Sequence, residues 1–157
     1  MKILIVSDTH GGKRTLQKTV SLELPELILH LGDHDSDCAD IGEAFPDIPL
    51  RSVRGNCDLT SYSPDFDEFN LEGKRFFMTH GHLYRVKTGL FQIAETARAR
   101  GADILLFGHT HVPLYKTIEN TVMINPGSLC LGTKTYAVLT IDESAFTCTI
   151  KPVIKPV

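Results

Sequence analysis

The chain has 157 residues, 42% hydrophobic and 22% charged, with 16 basic and 19 acidic side chains giving a formal charge of −3. That length and balance describe one globular domain, expected to run from residue 1 to 157, with enough apolar material to bury a core. The acid-leaning charge excludes an extended nucleic-acid surface built on basic side chains. No apolar run approaches the ~20 residues that cross a bilayer.

Residues 3–6 are an unbroken aliphatic run, the pattern of a strand buried on both faces, and too short for a secretory apolar segment. Leu16, Val20 and Leu24 then recur at helical spacing, and Pro25 stops the helix. Residues 27–31 predict a second strand, ended by Gly32-Asp33. A short helix is expected over 38–45, closed by Pro46, and a third strand over 50–53, leading into the turn 54–58. After a polar loop, strands 66–71 and 75–79 flank Glu72-Gly73-Lys74, read as a hairpin with a three-residue loop. Thr88 is placed to cap a helix whose Leu90, Ile93, Ala94 and Ala97 form one face, with Gly101 beyond its end. A buried strand over 104–107 follows, then strand-like segments at 114–118, 121–124, 135–141 and 145–151. The β-α-β-α order in front and strands behind predict an α/β fold with a mixed sheet or two packed sheets.

Composition holds one oddity. Seven His outnumber four Tyr, and there is no Trp. Buried strands end in polar residues that a core would not choose. The first runs into Asp8-Thr9-His10, the second into Gly32-Asp33, the third into Gly55-Asn56. The hairpin's second strand runs into His80-Gly81-His82, and strand 104–107 into Gly108-His109-Thr110-His111. Sites in α/β sheets form at the carboxyl ends of strands. On one edge, these five ends would gather two Asp, one Asn and up to four His.

Carboxylate, amide oxygen and imidazole without thiolate suit Mn, Fe, Ni, Co or Zn. So many donors exceed one tetrahedral ion and suit two ions about 3.5–4 Å apart, the arrangement of phosphoester hydrolysis. Each piece also has a plainer reading. Asp8-x-His10 alone serves as a turn or helix cap. His109 and His111 alone could share one face of a strand. The conjunction of five strand ends favours the metal reading.

Asp8-x-His10, Gly32-Asp33, Gly55-Asn56-Cys57-Asp58, His80-Gly81-His82 and Gly108-His109-Thr110-His111 resemble, in order, the motifs of the calcineurin-like metallophosphoesterase superfamily. The Gly-Asn-Cys-Asp variant and the late Asn125-Pro126-Gly127-Ser128 are similar to its small YfcE-like phosphodiesterase branch. The resemblance implies two mixed β-sheets packed as a sandwich and flanked by helices. It also implies two divalent ions per chain, with Mn the first candidate and Ni, Fe, Co or Zn the alternatives. Asp8, His10 and His111 would hold one ion, Asn56, His80 and His109 the other, and Asp33 would bridge. A metal-bridging hydroxide would then attack phosphorus in line. Asp33, Asn56, His82 and Cys57 form the expected catalytic set; His82, two positions after His80 on a Gly turn, is read from its place as a substrate contact, with a solvated loop residue as the plainer reading.

Cys57 departs from the wider superfamily, whose Gly-Asn-His-Glu places a His where this chain has a thiol. A neutral thiol of pKa ~8.5 is a poor acid for an alkoxide leaving group. That favours a small phosphodiester substrate over a phosphomonoester. A buried small residue is the plainer reading of Cys57. The alternatives of the same fold are a phosphomonoesterase and a catalytically weak scaffold. The filled donor positions count against the scaffold.

His30, inside an apolar strand, is expected to be a hydrogen-bonded core residue, and His34 and Asp35 polar loop residues. Residues 127–134 approach a P-loop, but Thr133-Lys134 stand in the wrong order and a strand-like segment follows. Four Cys without CxxC spacing read as free thiols in a reducing cytoplasm. No membrane partner is expected, and the resemblance leaves a homo-oligomer open.

Overall fold

Alternation along the strands decides which layer each side chain enters. In β1 (Lys2–Val6), Ile3 and Ile5 face one cluster while Leu4 and Val6 face another. The computed structural model describes residues 1–143 and 145–154. It contains two mixed five-stranded sheets. In the first, β2 (Leu27–His30) and β3 (Leu50–Ser52) run parallel to β1, β9 (Thr135–Ile141) pairs antiparallel with β1, and β10 (Phe146–Pro152) pairs antiparallel with β9, in the order β10-β9-β1-β2-β3. The second has the order β4-β5-β6-β8-β7, from β4 (Phe66–Leu71), β5 (Lys74–Thr79), β6 (Ile104–Leu106), β7 (Leu114–Ile118) and β8 (Thr121–Asn125). There β5, β6 and β8 are mutually parallel.

Ile3, Ile5 and Leu29 of one sheet share a cluster with Phe76, Met78, Leu106 and Ile124 of the other, so the core lies between the sheets. Burying one such Leu contributes about 1.5–3 kcal/mol. The outer faces are covered by helices. Leu16 and Val20 of α1 (Lys13–Glu23) and Ile41 of α2 (Asp37–Ala44) pack on Leu4, Val6 and Ile28. Ile93 and Ala97 of α3 (Phe91–Ala99) pack on Phe77 and Leu105. This is the expected sandwich flanked by helices. Among the described residues, no helix is long and apolar enough to cross a membrane.

Three local expectations change. The hairpin loop holds two residues, because Leu71 pairs with Lys74, while Glu72 (φ 47°) and Gly73 (φ 71°) both take the left-handed conformation of a tight turn. Thr88 caps no helix. Its Oγ1 donates to the Arg85 carbonyl at 2.8 Å, and α3 starts after Leu90. His109 and His111 lie beyond β6, each with positive φ (66° and 59°), rather than along one strand face. The near-P-loop leads into β9, a strand, as expected.

α1 is anchored by one buried carboxylate. Glu23, 5% exposed, accepts from Tyr136 Oη (2.8 Å) and Lys151 Nζ (2.9 Å) and pairs with Lys2 Nζ at 2.9 Å. Burial alone would raise its pKa, but the two ammonium groups and the phenol hold it down at about 2. A carboxyl depressed in the folded state stabilises above its unfolded pKa and loses that contribution as pH falls through the folded value. Glu23→Gln should therefore cost about 2–3 kcal/mol at neutral pH. Denaturant titrations of both proteins should show the gap narrowing as pH drops from about 4.5 toward 2, the interval between ordinary and folded values.

Candidate metal centre

The loops leaving β1, β2, β3, β5 and β6 meet at one edge of the sandwich. Ladder bonds continue past the strand ends and hold them together. Asp8 N–H donates to the Gly32 carbonyl at 2.9 Å, and Gly108 N–H to the His80 carbonyl at 3.0 Å. Asp8 and His80 are fully buried, and Asp33 is 2% exposed.

Three donor groups form there, each with its ligand atoms within 4.8 Å of one another: Asp8, His10 and His111; His10, Asp33 and Cys57; Asp33, His80 and His109. His10 and Asp33 each belong to two of them, so the groups are contiguous. His111 Nε2 lies 3.0 Å from Asp8 Oδ1, and His80 Nε2 lies 3.5 Å from Asp33 Oδ1. His10 Nε2 stands 3.9 Å from both Asp8 Oδ1 and Asp33 Oδ2, buried and without a hydrogen-bond partner. A buried nitrogen aimed between two carboxylates fits a cation shared by the three.

The hydrogen bonds fix which imidazole nitrogens carry lone pairs. His80 Nδ1 lies 2.7 Å from the Leu31 carbonyl, which can only accept, so Nδ1 holds the proton and Nε2 faces the site as a donor of electrons. That Nε2 meets His109 Nδ1 at 3.2 Å. Burial and the neighbouring His80 push the His109 imidazole down to about 4, which keeps it neutral. Burial opposes charge on Asp33, but the Cys57 backbone N–H (2.9 Å) and His80 outweigh it and hold this carboxyl below its ordinary value.

The backbone is strained where the donors converge. Of the eleven described non-glycine residues with positive φ, six are Asp8, His10, Asp33, His34, His109 and His111. Such conformations cost about 1–3 kcal/mol each and persist where surrounding bonds over-determine them. Glycines sit where no side chain fits. A Cβ on Gly55 would overlap Asp33 Oδ1, and one on Gly108 would overlap Ser7 Oγ.

Two residues of the expected catalytic set lie at the rim. Asn56 is exposed, its Nδ2 3.5 Å from Cys57 Sγ. Cys57 is exposed too, which overturns its reading as a buried small residue; its N–H donates to Asp33 and its Sγ lies within 4.8 Å of donor atoms of His10 and Asp33. Partial burial and the charge of Asp33 raise its thiol pKa. His82 opens a short 3-10 turn, half-buried, its ring 5.4 Å from that of His80 and its Nδ1 without a partner. His30 is buried and bonded to Thr9 Oγ1 (3.1 Å) and Gly32 N–H (3.2 Å), as expected of a core histidine. Asp35 accepts from Ser61 Oγ, and the His34 ring lies 5.4 Å from that of His10.

The motif reading missed the residues that hold the loops. Asp58 closes the Gly-Asn-Cys-Asp run, and nothing in that run declares its role. Its carboxylate accepts from four backbone N–H groups: Asp33 (2.8 Å), His34 (2.7 Å), Asp35 (3.1 Å) and Gly55 (2.7 Å). Asp37 accepts from Thr9 Oγ1 (2.7 Å) and Gly11 N–H (3.1 Å), fixing the loop that carries Asp8 and His10. In the turn 125–128, Gly127 N–H donates to Asn125 Oδ1 (2.9 Å), and Ser128 Oγ braces the site by donating to the Asp8 carbonyl at 2.9 Å.

A sandwich with acids and imidazoles gathered at one sheet edge defines a metal-site hydrolase class, and comparison with known proteins identifies the family. The family model described as the calcineurin-like phosphoesterase superfamily domain matches residues 1–144. The chain belongs to that superfamily. It is 33% identical over 154 residues to the probable metallophosphoesterase YsnB of Bacillus subtilis, covering 94% of this chain and 88% of the relative. A phosphodiesterase of Methanocaldococcus jannaschii is 27% identical over 173 residues, covering 93% and 96%. Among solved structures, a predicted phosphoesterase of Streptococcus pneumoniae superimposes with a TM-score of 0.79 at 27% identity, covering 95% of this chain and 87% of the other.

Asp58 supplies a direct test of how the loops are held. Asp58→Asn replaces one acceptor oxygen with an amide that cannot accept from these N–H groups. Calorimetric Mn²⁺ titration should show affinity weakened about 10–100-fold, with the far-ultraviolet spectrum unchanged.

Proposed function

We propose that this chain is a divalent-metal-dependent hydrolase of small phosphodiesters, acting as a single metallophosphoesterase domain. The observation that carries the reading is the set of contiguous donor groups sharing His10 and Asp33. Asp8, His10 and His111 would hold one ion. His80 and His109, with Asn56 from the rim, would hold the second, and Asp33 would bridge. Mn is the first candidate, and Ni, Fe, Co or Zn share the ligand chemistry. When bound, such a pair supplies a nucleophile from water near neutral pH and positive charge for in-line displacement at phosphorus.

The protein's own residues set the conditions for that chemistry. His80 donates its Nδ1–H to the Leu31 carbonyl, which aims Nε2 into the site. Asp58 and the Cys57 backbone N–H fix Asp33 before substrate arrives, so no reorganisation is needed during reaction. His82, with a free Nδ1 beside His80, is placed to bond a phosphoryl oxygen or the leaving group. Cys57, at the mouth, offers a neutral thiol where efficient monoester cleavage wants a stronger proton donor. Diesters with good leaving groups need less help.

Chelator-stripped protein should lose turnover of bis(p-nitrophenyl) phosphate and regain it on adding Mn²⁺; metal-independent turnover would end the mechanism. Asp33→Asn should lower turnover about a hundredfold or more while weakening binding of both ions. Near-normal activity with both ions bound would remove Asp33 from its bridging role. Cys57→His should raise p-nitrophenyl phosphate turnover relative to the diester about tenfold or more, within the range a positioned acid supplies. An unchanged ratio would detach ester preference from residue 57.

A further inference from the structure

A second cavity lies away from the donor groups. About 440 Å³ in volume, it opens between α1, the loop 129–134 and residues 153–154. That size falls within the usual range for small-molecule sites. Leu129 and Tyr136 are buried in its lining. The Tyr136 hydroxyl is committed to Glu23, so the ring contributes apolar surface. Leu22 (55% exposed) and Ile154 (70% exposed) extend this surface into solvent.

The same cavity is lined by Arg14, Lys18 and Lys134 and by no acidic side chain among the described residues. Nearby cations have carboxylate partners: Lys13 pairs with Asp40 at 2.5 Å, and Lys2 and Lys151 share Glu23, each at 2.9 Å. Arg14, Lys18 and Lys134 have no ion-pair partner among the described residues. Three uncompensated cations therefore surround one apolar hollow, in a chain whose formal charge is −3.

We propose that this cavity binds a small amphiphilic organic anion, its acidic head among Arg14, Lys18 and Lys134 and its apolar body against Leu129, Tyr136 and Leu22. A simple inorganic anion leaves the apolar lining unfilled, and a neutral hydrocarbon leaves the cations uncompensated. The ligand that satisfies both carries a carboxylate, sulfonate or phosphate on an acyl or aryl body. The cavity stands behind the metal-binding loop. Cys130 in its lining packs so closely on Gly12 that a Cβ there would overlap the sulfur, and Leu129 N–H donates to the Ser7 carbonyl at 3.0 Å.

The test uses the Mn²⁺-loaded full chain and anilinonaphthalene sulfonate, read by fluorescence. Saturable binding at one site per chain is expected, and Arg14→Glu, Lys18→Glu and Lys134→Glu should each weaken it about fivefold or more. Leu22→Ser should weaken it as well. Lys116→Glu, the same charge change on β7 of the other sheet, should leave it unchanged. Displacement of the probe by decanoate would assign an acyl anion; retention would assign an aryl one. Absence of saturable binding, equal weakening by Lys116→Glu, or loss of binding when the metal is stripped with chelator, which marks binding at the metal centre, would overturn the proposal. Phosphodiester turnover is measured in parallel, so loss of this site and loss of the catalytic reading register separately.

Discussion

Two buried carboxylates set the terms for the rest of this molecule. Asp8 and Asp33 sit at the junction of the sheets, and a buried acid left uncompensated costs several kcal/mol. Compensation comes from loops far apart in sequence. Asp8 accepts from Ser7 Oγ at 2.6 Å and His109 N–H at 3.2 Å, and Asp33 from Cys57 N–H at 2.9 Å. His109 follows a strand of the second sheet and Asp8 one of the first, so the contact that satisfies the acid also closes the sandwich at that end. The left-handed backbone at Asp8, Asp33, His109 and His111 is the geometric consequence, since each loop must turn sharply to aim its side chain at the same point.

Stability and site geometry are supplied by separate groups. The inter-sheet cluster from Ile3 to Leu139 is apolar throughout and sets the distance between the sheets. Asp58 and Asp37 then position the loops through backbone N–H groups, an arrangement independent of neighbouring side-chain identity. Glu23 does comparable work at the far end of α1, drawing the helix onto β9 and β10 through Tyr136 and Lys151. The donor side chains themselves take no part in the apolar cluster between the sheets.

Much of this was legible in the sequence because it rests on period and position. Aliphatic runs such as residues 3–6 declare buried strands, and polar residues at their ends declare an edge where they meet. The donors gathered by the fold, Asp8, His10, Asp33, His80, His109 and His111, were all readable in that way. What stayed hidden depends on backbone direction or on distant partners. Whether Glu72-Gly73 closes a two- or three-residue turn depends on φ at both positions, and a Glu does not announce a left-handed φ. Thr88 has a capping side chain, but its hydroxyl finds the Arg85 carbonyl three residues back. Asp58 and Asp37 act on N–H groups some 25 residues away in the chain, and no local pattern marks that reach.

Position 57 shows how one residue can serve two purposes. Its backbone N–H holds Asp33, and its exposed thiol stands at the mouth of the site beside His10 and Asp33. The first role is open to any residue except proline, which lacks the N–H. The second is chemical and changes with the side chain. Cys57 Sγ lies within 4.8 Å of donor atoms of His10 and Asp33, so an imidazole placed here would also alter the surroundings of Asp33. Function within one fold is set at such positions, where a single side chain can change the chemistry offered at the mouth while the fold stays the same.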